Sequence, residues 1–146
     1  MIKYIKIIIF FSLFIIKQNI LFAESNFFEE GKKKFNEEKY EDSKFLFQRS
    51  LVFNPKDINS YLYLAKIYGV EENKKEEEKN VNTVILLDPT NEEAMYMLIK
   101  IELEKSNYLK VRELNKLFVK ICINLCEKKY LIQDSLKNLE PKNESW

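Results

Sequence analysis

The chain of 146 residues has no His, two Gly and two Cys. Without His, the sequence cannot supply a Ser-His-Asp or Cys-His nucleophile pair, an imidazole base or a His-ligated metal. Because Gly31 and Gly69 are isolated, it also lacks a phosphate-binding glycine loop and a dinucleotide fingerprint. The acidic pair Glu102 and Glu104 would point to different faces of a helix. These absences argue against an enzyme, and we expect no catalytic residue, no cofactor and no metal.

The charge balance argues against a nucleic-acid partner. The chain has 24 basic and 23 acidic residues, and only two of the basic residues are Arg. A nucleic-acid-binding domain normally carries a strong excess of basic residues. We therefore expect the partner to be another protein or peptide, and not a nucleic acid.

Residues 1–23 have the layout of a secretory signal peptide. Two Lys precede an apolar run over residues 7–16, and Ala23 follows as a small residue. The polar residues 17–19 interrupt the run before it reaches the about 20 residues of a membrane span. The open alternative is an uncleaved anchor, which would be the chain's one contact with the membrane. In both cases we expect an exported domain in the periplasm or cell envelope, anchored to the inner membrane in the second case.

Two Pro residues mark a repeat, because Pro55 and Pro89 lie 34 positions apart. Residues 51–55 read Leu-Val-Phe-Asn-Pro and residues 85–89 read Ile-Leu-Leu-Asp-Pro. Apolar residues recur at three- and four-residue spacing on both sides, which predicts helices. A period of this length is typical of helical hairpins that stack on one another. It divides the chain into copies at 24–57, 58–91 and 92 to about 125.

Helix boundaries follow from local signals. Asp57 and Asn91 are placed to cap the helices that follow them. Asn54 and Asp88 are expected to end helices, because each precedes a Pro. The turns inside the hairpins are predicted at residues 36–38, 71–73 and 106–107.

A final amphipathic helix is predicted over residues 126–140, before Pro141. Its inward residues would be Tyr130, Leu131, Leu136 and Leu139, and it would cap the last repeat. Because no Gly or Pro lies between Tyr108 and Leu139, the alternative is that the preceding helix runs straight into it. Residues 141–146 are left as a frayed tail.

Residues at fixed positions of each copy resemble the tetratricopeptide repeat. The family's aromatic, Leu-Gly, small and Pro positions are matched in the first copy by Phe27, Glu30 with Gly31, Tyr40, Ser43, Phe47, Ser50 and Pro55. The later copies match at Tyr61, Leu64, Ala65, Tyr68, Val84 and Pro89, then at Met95, Leu98, Tyr108 and Val111. The sequence departs from the pattern at Lys74 and Glu77, and at Glu30 and Ile99 in the Leu-Gly positions, and the third copy lacks a terminal Pro. The resemblance implies one all-α domain at 24–140, a tetratricopeptide-like helical-hairpin solenoid of about three repeats plus a C-terminal capping helix.

In this family the first helix of each repeat lines a concave groove that holds a partner. One groove position carries Lys at every repeat, with an apolar or aromatic residue one turn earlier: Lys32, Lys66 and Lys100, preceded by Phe28, Leu62 and Tyr96. Such a row would suit an acidic peptide or a C-terminal carboxylate. The alternative is an ordinary solvated face. The family's carboxylate clamp is not reproduced, because Phe28 precedes Lys32 and Tyr63 occupies the second helix.

Cys122 and Cys126 are interpreted as small buried apolar residues on one helix. An oxidising compartment favours a disulfide, but parallel side chains at this helical spacing would require distortion. Two thiolates would leave a tetrahedral metal site half empty. Residues 71–79, where blocks of acidic and basic residues alternate, are interpreted as a solvated helix start, with an acidic docking patch as the alternative.

The resulting hypothesis is a non-catalytic interaction scaffold of the bacterial envelope that binds a partner protein or peptide in its groove. The alternative is a membrane-anchored structural subunit that self-associates, using Phe45 and the imperfect second repeat, or assembles into an envelope complex. The sequence leaves open the partner's identity, the oligomeric state and the cleavage of the signal.

Overall fold

The computed structural model describes residues 27–139, which contain seven α-helices and no strand. They form two compact units, up to Ile67 and from Tyr68 onwards. The predicted all-α arrangement of helical hairpins is confirmed, whereas the signal at 1–23 and the tail at 141–146 lie outside the described residues. The helices are α1, helical over 27–36, then α2 Tyr40–Phe53, α3 Ile58–Val70, α4 Lys74–Leu87, α5 Glu92–Glu104, α6 Tyr108–Ile121 and α7 Lys128–Leu139. Within this range no helix combines the length and apolar character of a membrane span.

The turns that close the three hairpins share one conformation and recur every 34 residues. Glu38, Glu72 and Ser106 have φ angles of 58°, 57° and 60°, the only positive values in the described chain. The N–H of the next residue donates to the carbonyl oxygen five positions back, at 2.9–3.0 Å, in the pairs Lys39–Lys34, Asn73–Tyr68 and Asn107–Glu102. This is the Schellman motif, in which a helix ends at a left-handed residue. The three predicted hairpin turns are confirmed.

Polar side chains define the helix boundaries between hairpins. Asn54 and Asp88 are the C-cap residues that directly follow α2 and α4, so both helices end there, as predicted from the Pro that follows each. The predicted caps Asp57 and Asn91 are confirmed. Their side-chain oxygens accept backbone N–H groups two and three residues ahead, at 3.2 and 2.9 Å. These bonds satisfy donors that the first turn of a helix leaves unpaired.

An aromatic cluster forms the core of the first unit. Phe47 on α2 is fully buried, and its ring stacks on Tyr63 of α3 with 5.0 Å between centroids. Phe28 and Phe35 of α1 meet the same Tyr63 ring at 5.9 and 5.1 Å. The helices approach this closely because Gly31 has no side chain; a Cβ there would lie 3.0 Å from the Phe47 ring. Each aromatic pair contributes about 0.5–1.5 kcal/mol beyond its buried area.

The central helix of the second unit is α5, which packs against α4, α6 and α7. Five of its apolar residues are buried: Ala94, Met95, Leu98, Ile99 and Ile101. The neighbouring helices α4 and α6 bury Val81, Val84, Val111, Leu114 and Phe118. Because each large apolar side chain contributes about 1.5–3 kcal/mol on burial, α5 anchors this unit.

The second hairpin accommodates a charge where the repeat normally has a small residue. The Glu77 carboxylate lies against Gly69, with its Oε1 3.0 Å from the position that a Cβ would take. Lys74, the other departure from the pattern, pairs with Glu77 at 3.4 Å. The absence of a side chain at Gly69 therefore provides the space for Glu77.

The junction between the last two helices differs from both sequence interpretations. The helix α6 ends at Ile121 and α7 begins at Lys128, so the helices are not continuous and the predicted start at Cys126 is too early. Residues 122–127 form a turn in which Cys122 and Cys126 make a disulfide, with Cα atoms 5.1 Å apart. The interpretation of both Cys as buried apolar residues is wrong because it assumed a helix, whereas in a turn the two side chains can converge.

The inner face of α7 also differs from the prediction. Ile132 is buried, whereas Tyr130 and Leu131 are 64% and 55% exposed. The half-buried Leu136 lies one turn beyond Ile132 and shares its face. The side chain of Leu139 lies outside the described ones. The prediction is therefore wrong for Tyr130 and Leu131, because the start of α7 is set by the disulfide-closed turn and not by the repeat period.

Replacing Glu72 by Gly is expected to stabilise the protein against urea unfolding. The exposed Glu72 is held at a φ of 57°, which costs an L-residue about 1–2 kcal/mol and costs Gly little. Because Gly also gains freedom in the unfolded chain, we expect a net increase of about 0.5 kcal/mol in the free energy of unfolding. The control Lys116→Gly, in the exposed middle of α6, should lower it by about 1 kcal/mol. A loss for Glu72→Gly would contradict backbone strain at this turn.

Replacing Asn115 by Val is also expected to be stabilising. The Asn115 Oδ1 is buried without a hydrogen-bond partner in the described chain, and the equivalent positions of the earlier repeats hold the fully buried Phe47 and Val81. Removing an unpaired buried acceptor should raise the free energy of unfolding by about 1 kcal/mol. Calorimetric melting of Asn115→Val and of the exposed control Asn82→Val measures the difference. Equal melting temperatures for the two variants would show that the Asn115 oxygen is satisfied.

Candidate functional site

The predicted binding residues of the first unit divide into supporting and accessible side chains. Leu62 is buried, and Phe28 is half-buried in the aromatic cluster. The Lys66 ammonium lies 4.8 Å from the centroid of the Tyr63 ring, a cation–π contact. Lys32 is exposed, one turn beyond Phe28 on α1. Lys32 and Lys66 are therefore the members of this set that a partner could contact.

In the second unit, the predicted residues Tyr96 and Lys100 line a cavity of about 340 Å³. They stand one turn apart on α5. The other lining residues come from α5 and α7: Leu103, Glu104, Leu131, Ile132 and Ser135. The wall that α7 provides was not predicted, because the predicted face of that helix pointed Leu131 into the core.

The two charged groups of the cavity differ in their partners. The Glu104 carboxylate pairs with the Lys74 ammonium at 2.9 Å. This hydrogen bond is the main reason why the pKa of Lys74 lies above its ordinary value. Lys100 has no ion-pair partner among residues 27–139. Glu104 is thus compensated from α4, and Lys100 is the charge that a ligand would meet.

The aromatic wall of the cavity is held in place by the core beneath it. The Tyr96 ring contacts the ring of Phe118, with 6.1 Å between centroids and a tilt of 38°. Phe118 is fully buried on α6. Because this contact restricts the half-buried Tyr96, the wall is formed before any ligand arrives, which lowers the entropic cost of binding.

One carboxylate holds the turn between α6 and α7 to the start of α5. Glu92 accepts the N–H of Ile123 at 2.6 Å, of Asn124 at 3.0 Å and of Leu125 at 3.1 Å. The bond from Ile123 is the largest cause that lowers the pKa of Glu92 below its ordinary value, and those from Leu125 and Asn124 add to it. Successive N–H groups that converge on an anion form a nest.

This interaction could not be predicted from local patterns in the sequence, because the acid and the turn are 31–33 positions apart. The available signal is a break in the repeat. Cys122 and Ile123 stand where the earlier copies have Asp88 and Pro89. The third copy therefore lacks the side-chain acceptor and the Pro that shape the earlier turn, and Glu92 supplies an acceptor from another helix.

The carboxylates considered for acid–base chemistry are engaged separately. Glu102 is buried and accepts the side-chain N–H of Asn107 at 2.8 Å, whereas Glu104 pairs with Lys74. Within the described range, no group of three or more His, Cys, Asp or Glu residues is arranged to hold a metal ion. The cavity offers apolar surface and an ammonium group, which are means of binding a ligand.

Replacing Glu92 by Gln should make the protein less stable in a pH-dependent way. Folding lowers the pKa of Glu92, so its carboxylate stabilises the folded state above the ordinary Glu pKa of about 4.3. That stabilisation is lost as the pH falls through the lower folded-state pKa. We expect Glu92→Gln to cost about 1–2 kcal/mol at neutral pH and progressively less below about pH 4.

Urea unfolding at several pH values measures this effect. The control Glu113→Gln removes an exposed carboxylate that pairs with Lys110 at 3.6 Å, and should change the stability by less than about 0.5 kcal/mol. A Glu92→Gln cost that stays the same from neutral to acidic pH would exclude the ionised carboxylate as its cause.

Solved structures, among them tetratricopeptide domains, share this fold at low sequence identity. The TPR2B domain of yeast Sti1 in its pHsp70 complex is 13% identical, with a TM-score of 0.72 over 81% of this chain and 98% of that chain. The first TPR of Spaghetti (RPAP3), bound to the HSP90 peptide SRMEEVD, is 13% identical, with a TM-score of 0.71 over 82% and 97%. The Yersinia enterocolitica chaperone SycD, in complex with a peptide of the translocator YopD, is 16% identical, with a TM-score of 0.67 over 80% and 91%.

No family model and no curated protein matches the chain. The similarity to solved structures nevertheless extends over most of the chain, and it is shared by structures from yeast and bacterial proteins. The predicted fold is therefore confirmed. The described residues have the all-α helical-repeat fold of tetratricopeptide-repeat domains.

Proposed function

We propose that the protein is an exported, non-catalytic interaction module that binds an extended acidic segment of a partner protein. The observation that carries this proposal is the cavity between α5 and α7, which contains the predicted residues Tyr96 and Lys100. A volume of about 340 Å³ is at the lower end of ligand sites, and it suits one bulky side chain rather than a whole cofactor.

The chemistry of the lining defines the segment that would fit. Tyr96, Leu103 and Ile132 offer apolar surface to one large apolar side chain of the ligand. Lys100, which has no ion-pair partner in the described chain, can donate charge-assisted hydrogen bonds to a carboxylate beside it. Glu104 would repel that carboxylate less than an unpaired acid, because Lys74 compensates it. The preferred ligand therefore places an acidic residue next to a bulky apolar one.

The solved structures support a peptide as the ligand class. Domains of this fold are seen with the HSP90 peptide SRMEEVD and with a peptide of YopD. The first of these sequences combines acidic residues with Met and Val. We do not expect this chain to bind such a peptide through the family's carboxylate clamp, because the clamp residues are absent around Lys32.

In the first unit, Lys32 and Lys66 are proposed to make further contacts with the partner. They occupy the same repeat position as Lys100. Phe28 and Leu62 would support them from the core, since both side chains are at least half-buried. Lys66 would present its ammonium from above the Tyr63 ring, 4.8 Å away, which limits the entropy that it loses on binding.

Two features outside the cavity, the first 23 residues and the disulfide, support a location in the cell envelope. The first 23 residues read as a signal peptide or anchor, and Cys122 forms a disulfide with Cys126. Disulfides persist in oxidising compartments and are rare in the cytosol of mesophiles. Both observations support export to the periplasm or cell envelope.

A second candidate function is self-association as a structural subunit of an envelope complex. Phe45 and Val52, on α2, are 57% and 73% exposed. Large apolar side chains that are exposed on a single subunit are often buried in an interface between subunits. Light scattering after size exclusion separates the candidates, because a monomer at micromolar concentration would exclude a stable self-assembled subunit.

Selection from a display library of random short peptides should enrich sequences that combine bulky apolar and acidic residues. The triple variant Lys32→Glu, Lys66→Glu, Lys100→Glu should lose capture of the selected peptides without unfolding. Lys100→Glu alone should weaken binding by at least about tenfold, which corresponds to one lost charge-assisted contact. Fluorescence anisotropy measures the affinity, and circular dichroism verifies the fold.

The matched control for these charge reversals is Lys116→Glu with Lys120→Glu. Both residues are exposed on α6 and neither lines the cavity. The control reverses two charges, one more than Lys100→Glu alone and one fewer than the triple variant, and it should bind as the wild type does. Unchanged capture by the triple variant, or an equal loss in the control, would refute binding through these Lys residues.

A further inference from the structure

The helix α7 forms one wall of the cavity but is anchored by few side chains. Among its described residues only Ile132 is fully buried. Tyr130 and Leu131 are mostly exposed. The helix α5, in contrast, buries residues on several faces. The position of α7 therefore depends strongly on the turn that precedes it.

Two interactions fix the shape of that turn. The disulfide joins Cys122, at the end of α6, to Cys126, two residues before α7 begins. The Glu92 carboxylate gathers the N–H groups of Ile123, Asn124 and Leu125 between them. The covalent bond thus holds closed the loop whose N–H groups converge on Glu92.

We propose that the Cys122–Cys126 disulfide is a redox latch that controls the binding cavity. In the oxidised protein α7 is docked beside α5 and the cavity has both walls. In the reduced protein α7 leaves this position and the wall with Leu131, Ile132 and Ser135 is lost. The consequence for ligand binding rests on the proposed function, whereas the movement of α7 does not.

The sequence gives the reduced chain an alternative conformation. No Gly or Pro lies between Tyr108 and Leu139, so no backbone-restricted residue breaks the helix across residues 122–127. With the S–S bond open, α6 can extend through the turn, which directs α7 away from α5. The burial of Ile132 and the bonds to Glu92 then oppose the extension. The disulfide opposes this state, because a bridge between two side chains one helical turn apart would require distortion.

The reduction step requires a dithiol as the reductant. One thiolate of the dithiol attacks a sulfur of the protein disulfide and forms a mixed disulfide. Its second thiol then displaces the protein, so that Cys122 and Cys126 leave as thiols and the dithiol leaves as its own disulfide. Two electrons and two protons pass to the protein. The dithiol can reach the disulfide, because both Cys are only half-buried and the intervening Ile123 is 84% exposed.

Hydrogen exchange of the whole exported chain, with and without dithiothreitol, tests the latch. After reduction, verified by titration of two thiols, amide exchange in α7 should be at least about tenfold faster. Exchange in α4 and α5 should not change. The variant Cys122→Ser with Cys126→Ser should exchange like the reduced wild type, and dithiothreitol should have no further effect on it.

Two results would overturn the latch. One is unchanged exchange in α7 of the reduced protein or of the double Ser variant. The other is faster exchange in α4 and α5 together with α7, because the disulfide would then stabilise the whole unit without controlling one helix. The affinity of a display-selected acidic peptide is measured in parallel. If α7 exchange accelerates and that affinity stays the same, the latch stands and the proposed binding cavity fails.

Discussion

The hairpin turn with a left-handed residue is the constraint on which the rest of the structure depends. It recurs at Glu38, Glu72 and Ser106, at intervals of 34 residues. The helices between turns keep constant lengths, with 13 residues in α3 and α5 and 14 in α2, α4 and α6. Because side chains in a helix repeat every 3.6 residues, equal lengths bring the apolar stripes to equivalent faces in each copy. In the second unit this places α5 between α4 and α6.

The end of the third repeat is where this regularity stops, and the candidate site lies there. Cys122 and Ile123 replace the Asp88 and Pro89 of the preceding copy. The turn is shaped instead by Glu92 and by the disulfide to Cys126. That turn decides where α7 begins and therefore which of its residues faces inwards. Leu131 becomes part of a cavity wall opposite α5 for this reason.

Features that depend on neighbouring residues were predictable from the sequence, and features that join distant residues were not. The caps Asp57 and Asn91 and the turns follow from local backbone chemistry, and Tyr96 and Lys100 share a site because a helix places them one turn apart. The hydrogen bonds that Glu92 accepts join residues more than 30 positions apart, and no local sequence pattern predicts them. The disulfide and the inner face of α7 were missed for one common reason, since both depend on the non-helical turn at 122–127.

The most direct test of the cavity as the binding site is a methyl NMR titration of the oxidised protein with a display-selected acidic peptide. Leu, Val and Ile methyl groups are labelled, so the cavity and the remaining surface are observed together. If the cavity is the binding site, the largest shifts occur at Leu103, Leu131 and Ile132. Shifts confined to the exposed Val52 on α2 or Leu86 on α4, with these three unchanged, would contradict it.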